Sequence, residues 1–282
     1  MPVNKKDLAF RTLSGVIIGP IVVFSFLTYQ SLLGLVTTII ILASYEFIEM
    51  SNKETKNNFI KLLYAFVIGV ASLLYGFSLK TEYAGILPFE AEIIFFIAFV
   101  FIASVSLFAA KDQNEAKNLI TSSVFAIMYI SFFLSVFYNI HIGYGGTMGI
   151  LALTSVWAYD ACAYFFGLNF GKHKLSPKFS PKKTWEGFFG GVLGTFVYII
   201  IYEFFRELYG FAKLDIFYAL IFAFMVACFD TVGDLTESIF KRFYGVKDSG
   251  EVLPGHGGML DRIDGLLVVT PMWYLLLRIL GI

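Results

Sequence analysis

Two pairs of aspartates, Asp230 with Asp234 and Asp261 with Asp264, stand at helical spacings beside stretches of Val, Phe, Leu and Ile. Residues three or four apart lie on one face of a helix, so each pair presents its carboxylates together. A charged side chain in apolar surroundings is costly unless it faces water or binds a partner, which makes both pairs candidates for ligand binding. Glu237 and Lys241 continue the first pair's face; for these two, a helix end reaching into water is an equal reading. A helix N-terminus favours negative charge, so capping alone would account for one of Asp261 and Asp264. It does not account for a second carboxylate pair so soon after the first. Hard oxygen ligands gathered around water suit Mg²⁺, which binds through one or two carboxylates, several waters and substrate phosphates. Zinc is disfavoured, because His256 has no neighbouring histidine or cysteine.

Between the pairs runs PGHGG, from Pro254 to Gly258. Glycines let a chain turn with its N–H groups outward, and such a concavity binds anions. A tight turn needs glycine in any case. In company with Lys241, Arg242, Lys247 and Arg262, and with His256 as a further donor, Gly257 and Gly258 make a polyphosphate site. A second charged segment, GKHKLSPKFSPKKTWEGFFGG from Gly171 to Gly191, holds Lys182, Lys183 and Thr184 directly before Trp185, Glu186 and Gly187. Lys172, Lys174 and Lys178 fit simple contact with anionic headgroups equally well. The KKTWEG part offers ammonium groups, a hydroxyl, an indole able to cover a base, a carboxylate, and a Gly-rich helix start with backbone donors for phosphate. It is not a Walker A loop, because its glycines follow the lysines. Asp160, in VWAYDACAYFFG, is expected to be buried, either bonded to a neighbouring tyrosine or part of a polar cavity. Glu46 and Glu49 are expected to reach the membrane interface.

These groups need a membrane frame. The 282 residues are 58% apolar and 15% charged and include 33 Phe, a composition that excludes a soluble domain of this size. With a net charge of zero, the totals point to no acidic macromolecular partner, and nucleic acid is not expected as one. Cys162 and Cys228 stand apart in apolar segments and read as small packing residues. A window of about 20 residues gives about nine spans, near 9–28, 31–50, 59–79, 91–110, 119–139, 147–167, 188–208, 215–235 and 263–281. The first follows Lys5, Lys6 and Arg11 without an A-x-A site, and reads as an uncleaved span. Placing the N-terminus inside puts every one of the 21 Lys and Arg residues except Lys80, Arg206, Lys213 and Arg278 on the cytoplasmic side. The fold class expected is therefore all-α: one polytopic membrane domain over 1–282, with scaffold helices and a dimer contact in 1–140. Catalytic helices would occupy 141–282, with cytoplasmic loops at 168–187 and 236–262.

Taken together, these residues resemble the phosphatidate cytidylyltransferases, also called CDP-diacylglycerol synthases. That family's signature runs S-x-apolar-K-R, four residues, K-D-x-small, two residues, apolar-P-x-H-G-G-apolar-x-D-R-apolar-D. The chain matches it with Ser238, Lys241, Arg242, Lys247, Asp248, Gly250, Leu253, Pro254, His256, Gly257, Gly258, Met259, Asp261, Arg262 and Asp264. The similarity extends through SPKKTWEGFFGG and the polytopic layout, while the N-terminal third is similar only in hydrophobic character.

The resemblance implies transfer of a cytidylyl group from CTP to phosphatidate, giving CDP-diacylglycerol and pyrophosphate. It also implies a Mg²⁺ requirement, allowance for a second cation such as K⁺, a homodimer, and a bacterial-type inner membrane with a cytoplasmic active face. A lipid phosphate is already a nucleophile at neutral pH, so positioning and charge neutralisation suffice. On this reading Asp234, Asp261 and Asp264 hold cations, with Asp230 as a ligand or directly behind one. Lys241, Arg242 and His256 stabilise the leaving group, and Lys182, Lys183 and Thr184 grip CTP, with Glu186, Gly187, Gly257, Gly258 and Arg262 as further substrate contacts. The rivals are a CTP-dependent polyprenol or lipid kinase, which transfers the terminal phosphate, and a cation-coupled transporter, which would carry carboxylates at the bilayer midplane.

Overall fold

A computed structural model of the chain describes residues 18–80, 93–211, 214–250 and 257–282. Seven helices are long and apolar enough to cross a membrane: Tyr29–Ser51 (α1), Asn58–Leu79 (α2), Gln113–Tyr144 (α4), Gly146–Phe170 (α5), Trp185–Leu208 (α6), Ile216–Phe243 (α7) and Leu260–Leu280 (α8). Between α2 and α4, Ile93–Ala109 (α3) is apolar but shorter, with 17 residues. Each expected span after the first coincides with one of these helices. The first, near 9–28, lies mostly outside the described residues; its residues 18–25 are helical. The protein is an all-α, polytopic integral membrane protein.

By its contacts the chain divides into two compact units, Met1–Thr147 with Lys241–Ile263, and Met148–Phe240 with Asp264–Ile282. The charged segment that begins at Lys241 belongs with the N-terminal unit.

In the first unit α1, α2 and α4 pack together. Lipid tails are as apolar as leucine, so membrane helices associate through small residues and hydrogen bonds. Tyr64 Oη and Ser106 Oγ lie 2.7 Å apart, as do Ser72 Oγ and Ser135 Oγ. Tyr29 Oη donates to the Gly76 carbonyl at 2.6 Å. Such bonds contribute about 0.6 kcal/mol each. Gly69 and Gly76 of α2 let Ile41 and Leu33 of α1 lie directly on the backbone.

In the second unit the glycines of α6 do the same for α5. A β-carbon on Gly190, Gly191 or Gly194 would overlap Phe166, Tyr159 or Cys162 respectively. Toward the other ends of α7 and α8 the rings of Phe222 and Trp273 meet with centroids 4.5 Å apart, tilted by 42°. Further along, Gly233 of α7 faces the backbone of Asp264 and Gly265 of α8, a close approach that only glycine permits.

Two connections differ from expectation. The segment expected as a loop at 168–187 contains an antiparallel hairpin of Lys174–Ser176 (β1) and Ser180–Thr184 (β2), in register Lys174 to Thr184 and Ser176 to Ser180. The span expected to stop near 235 continues to Phe243. No glycine or proline interrupts it after Gly233 until Gly245, whose φ of 66° ends the helix while the Val246 N–H closes onto the Lys241 carbonyl at 2.9 Å. Lys241 and Arg242 thus sit in the last helical turn, where cations are favoured.

Candidate active site

The second unit holds a half-open cavity of about 550 Å³. Asp160, Lys182, Lys183 and Asp234 line it along with Tyr164, Leu168, Leu175 and Phe188, so charge and apolar surface share one space. The elements explain the convergence. The glycines of α6 bring α5 close, α5 carries Asp160 and Tyr159, and the hairpin folds Lys182 and Lys183 over the gap. From α7 come Thr231 and Asp234; Tyr159 Oη and Thr231 Oγ1 are 3.0 Å apart.

Lys183 is the electrostatic centre. Its Nζ lies 2.6 Å from Asp234 Oδ2, and Ser238 Oγ donates to Asp234 Oδ1 at 3.2 Å. Burial alone would lower the Lys183 pKa, but the carboxylates of Asp234, Asp230 and Asp160 reverse the sign and hold it above its ordinary value. Asp230 is 3% exposed and interacts electrostatically with Asp160, Lys183, Asp264 and Asp234. Its carboxylate rests on Gly265, where a β-carbon would overlap Oδ1. Asp160, expected to be buried, is instead exposed within the cavity wall, because the tyrosine beside it takes the packed position.

The start of α6 is occupied by its own chain. Thr184 Oγ1 accepts the Gly187 N–H at 3.2 Å, and the Trp185 N–H donates to the His173 carbonyl at 3.0 Å. Glu186 accepts the N–H groups of Lys172 and His173 and lies 2.6 Å from His173 Nδ1. Thr184 and Glu186 therefore anchor the hairpin to the helix, and the hairpin presents Lys174, Lys182 and Lys183 to the cavity together with Thr184.

In the first unit the charged segment folds around two carboxylates. Asp261 Oδ1 meets Lys241 Nζ at 2.5 Å, while its Oδ2 accepts the Ser249 N–H at 2.8 Å, the Ser249 hydroxyl at 2.9 Å and the Gly258 N–H at 3.1 Å. Glu46, expected at the interface, is 1% exposed. It accepts the Met259 and Leu260 N–H groups at 2.9 Å each and lies 3.2 Å from Ser249 Oγ, so it satisfies the open start of α8. Glu49, in the last turn of the same helix, is exposed as expected. Arg242, Lys247 and Arg262 are exposed, Gly257 has a φ of 81°, and His256 lies outside the described residues.

The structure thus gathers Asp160, Asp230, Asp234, Asp264 and Lys183 in the second unit, and Glu46, Lys241, Ser249, Gly258 and Asp261 in the first. Glu46 and Ser249 escaped the sequence reading. A glutamate buried in a helix that otherwise spans lipid was the signal available for the former. Cys162 and Cys228 are free and half-buried, and Cys162 packs on Gly194.

Comparison with known proteins agrees in one direction. The model of the cytidylyltransferase family matches residues 9–280. The phosphatidate cytidylyltransferase of Thermotoga maritima is 41% identical over 277 residues, 97% of this chain and 97% of that protein. That of Bacillus subtilis is 43% identical over 136 residues, 48% of this chain and 49% of that protein. The Haemophilus influenzae phosphatidate cytidylyltransferase is 46% identical over 118 residues, 42% and 41% of the two chains. A family match from residue 9 to residue 280, together with a relative aligned over nearly its entire length, places this chain in the cytidylyltransferase family, as a nucleotidyltransferase enzyme.

Proposed function

We infer that the enzyme catalyses attack of a phosphate oxygen of phosphatidate on the α-phosphorus of CTP. A new P–O bond joins the two phosphates, the bond from the α-phosphorus to its bridging oxygen breaks, and pyrophosphate leaves with that oxygen. The products are CDP-diacylglycerol and pyrophosphate. The observation that carries this reading is the second-unit cavity, whose volume of about 550 Å³ lies in the range of small-molecule sites. Its charged lining suits phosphates, and its aromatic and aliphatic lining suits acyl chains, so one amphipathic substrate and one nucleotide find complementary surfaces.

Roles follow from position. Lys183, and Lys182 exposed beside it, neutralise CTP phosphates as the nucleotide enters. Asp234 holds Lys183 in place, and Tyr159 with Thr231 fixes the adjoining wall. The excess of carboxylates over ammonium around Asp230 fits a hard divalent cation. Among the described residues no group of three or more acidic, histidine or cysteine side chains is arranged as a metal cage. Mg²⁺ completed by nucleotide phosphates needs no such cage. Asp234 and Asp264 would hold it, with Asp230 behind them, and a second cation such as K⁺ would offset the charge that remains. When bound, Mg²⁺ supplies charge neutralisation at the α-phosphate and the departing pyrophosphate. Membership among bacterial relatives and the lysines of the hairpin support a place in a bacterial inner membrane with the cavity opening to the cytoplasm.

The test is incubation of detergent-purified enzyme with phosphatidate, Mg²⁺ and CTP labelled at either the α- or the terminal phosphorus. The α-label is expected in lipid, with pyrophosphate released in equal amount. Terminal label in lipid would instead establish the lipid-kinase reading.

A further inference from the structure

The buried carboxylate of Glu46 has no part in the chemistry above, although both of its oxygens bond to the charged segment of the first unit. We propose that Glu46 is a positioning residue: it locks the turn before α8 so that Asp261 and the backbone beside it are held in one conformation. The proposal rests on the expectation, carried by the family signature, that Asp261 and Lys241 of this segment take part in cytidylyl transfer.

The argument starts from the helix end. The first N–H groups of α8 have no partner within the helix. Most helices cap them with a side chain from the preceding turn. Here Met259 and Leu260 donate to the two oxygens of Glu46, a residue 213 and 214 positions away in sequence. The turn is built to receive it. A β-carbon on Gly250 would lie 2.6 Å from Glu46 Oε1, and one on Gly258 would lie 2.8 Å from Glu46 Oε2. Gly250 is thus explained by the carboxylate that lies against it, and Gly258 by the Ser249 hydroxyl with Glu46 just behind it.

Ser249 then joins Glu46 to Asp261. Its hydroxyl lies 3.2 Å from Glu46 Oε2 and 2.9 Å from Asp261 Oδ2, and it has one hydrogen to give. Asp261 also takes the Ser249 and Gly258 N–H groups and meets Lys241 Nζ. Two carboxylates therefore organise one turn from opposite sides. Glu46 fixes the backbone donors at 259 and 260, and this leaves those at 249 and 258 aimed at Asp261. Removing Glu46 frees the turn and misplaces Asp261, while Lys183 of the second unit keeps its ion pair with Asp234.

The experiment combines turnover with amide hydrogen exchange on purified Glu46→Ala, Glu46→Gln and Glu49→Ala enzymes. For Glu46→Ala, kcat is expected to fall about 100-fold while KM for CTP changes less than about threefold, the pattern of an interaction that matters in the transition state. Exchange should quicken at Gly258, Met259 and Leu260 and stay unchanged through α1 and α2. Glu46→Gln keeps one acceptor and loses the other, so its kcat should fall about tenfold and its exchange should lie between the two. Exposed Glu49→Ala should match wild type in both measurements. Wild-type kcat with wild-type exchange in the Glu46 variants overturns the proposal, as does loss of protection spread across α1 and α2. If wild-type enzyme transfers no cytidylyl group, the functional reading fails; the exchange arm then still decides whether Glu46 orders the turn.

Discussion

At the scale of single residues, the site is a contest between desolvation and neighbouring charge at Lys183. Burial disfavours its ammonium, yet the carboxylates of Asp234, Asp230 and Asp160 keep it charged, so lysine and aspartates depend on one another. Removing one member leaves the others with an uncompensated charge. Lys183→Met and Asp234→Asn should each lower kcat by about 100- to 1,000-fold, the scale of a lost electrostatic stabiliser. The double variant should be little worse than either, because groups that act as a unit are not additive. Losses that multiply would show that the two side chains act separately. Lys183 and Asp234 could be picked out from sequence because each is a charge beside apolar residues or in a KKTWEG setting that suits phosphate. For Glu46 the sequence marks only a carboxylate in an apolar helix: its partners lie at the other end of the chain, and the folded first unit shows that it closes α8 rather than reaching the interface.

Elements matter here through how closely they approach. The run Gly190, Gly191 and Gly194 lets α6 lie on α5, and so keeps Tyr159 where its hydroxyl meets Thr231 beneath the cavity. Gly191→Leu would drive a side chain into the Tyr159 ring. Overpacking of this kind typically costs about 1–3 kcal/mol, so thermal unfolding in detergent should occur at lower temperature and turnover should fall with it. By contrast Gly143, in the last turn of α4, has nothing within 4 Å of where a β-carbon would lie. Gly143→Ala should therefore leave turnover unchanged and stabilise by up to about 1 kcal/mol through helix propensity. Equal destabilisation by both substitutions would contradict the packing argument. Long apolar helices were legible from hydropathy alone, since a span must satisfy its backbone internally. The hairpin was not, because strands of 3 and 5 residues, with Pro177 and Pro181 within and beside them, carry no readable alternation. Nor was the end of α7, where charged residues continue the helix beyond the apolar window until Gly245 turns the chain.

For the whole molecule, the remaining question is which side of the membrane the charged connections face. Lysine and arginine concentrate in alternate connections: after α1, after α3, in the hairpin between α5 and α6, and between α7 and α8. Loops on the cytoplasmic side retain such residues, so these connections are expected inside, and the turn after α6 is expected outside. The proposed cytidylyl transfer makes the same prediction, because CTP is a polyanion that does not cross the bilayer and the cavity is lined by the hairpin lysines. Single-cysteine labelling separates the alternatives. With Cys162 and Cys228 first replaced by alanine, Lys178→Cys in the hairpin turn and Asp248→Cys in the signature segment should react with an impermeant maleimide only in inverted vesicles. Tyr209→Cys, at a position 82% exposed, should react in intact spheroplasts. Labelling of Lys178→Cys from the outer side would place the hairpin away from cytosolic nucleotide. A cavity on that side could not draw on CTP, and the cytidylyl-transfer reading would fall with the topology.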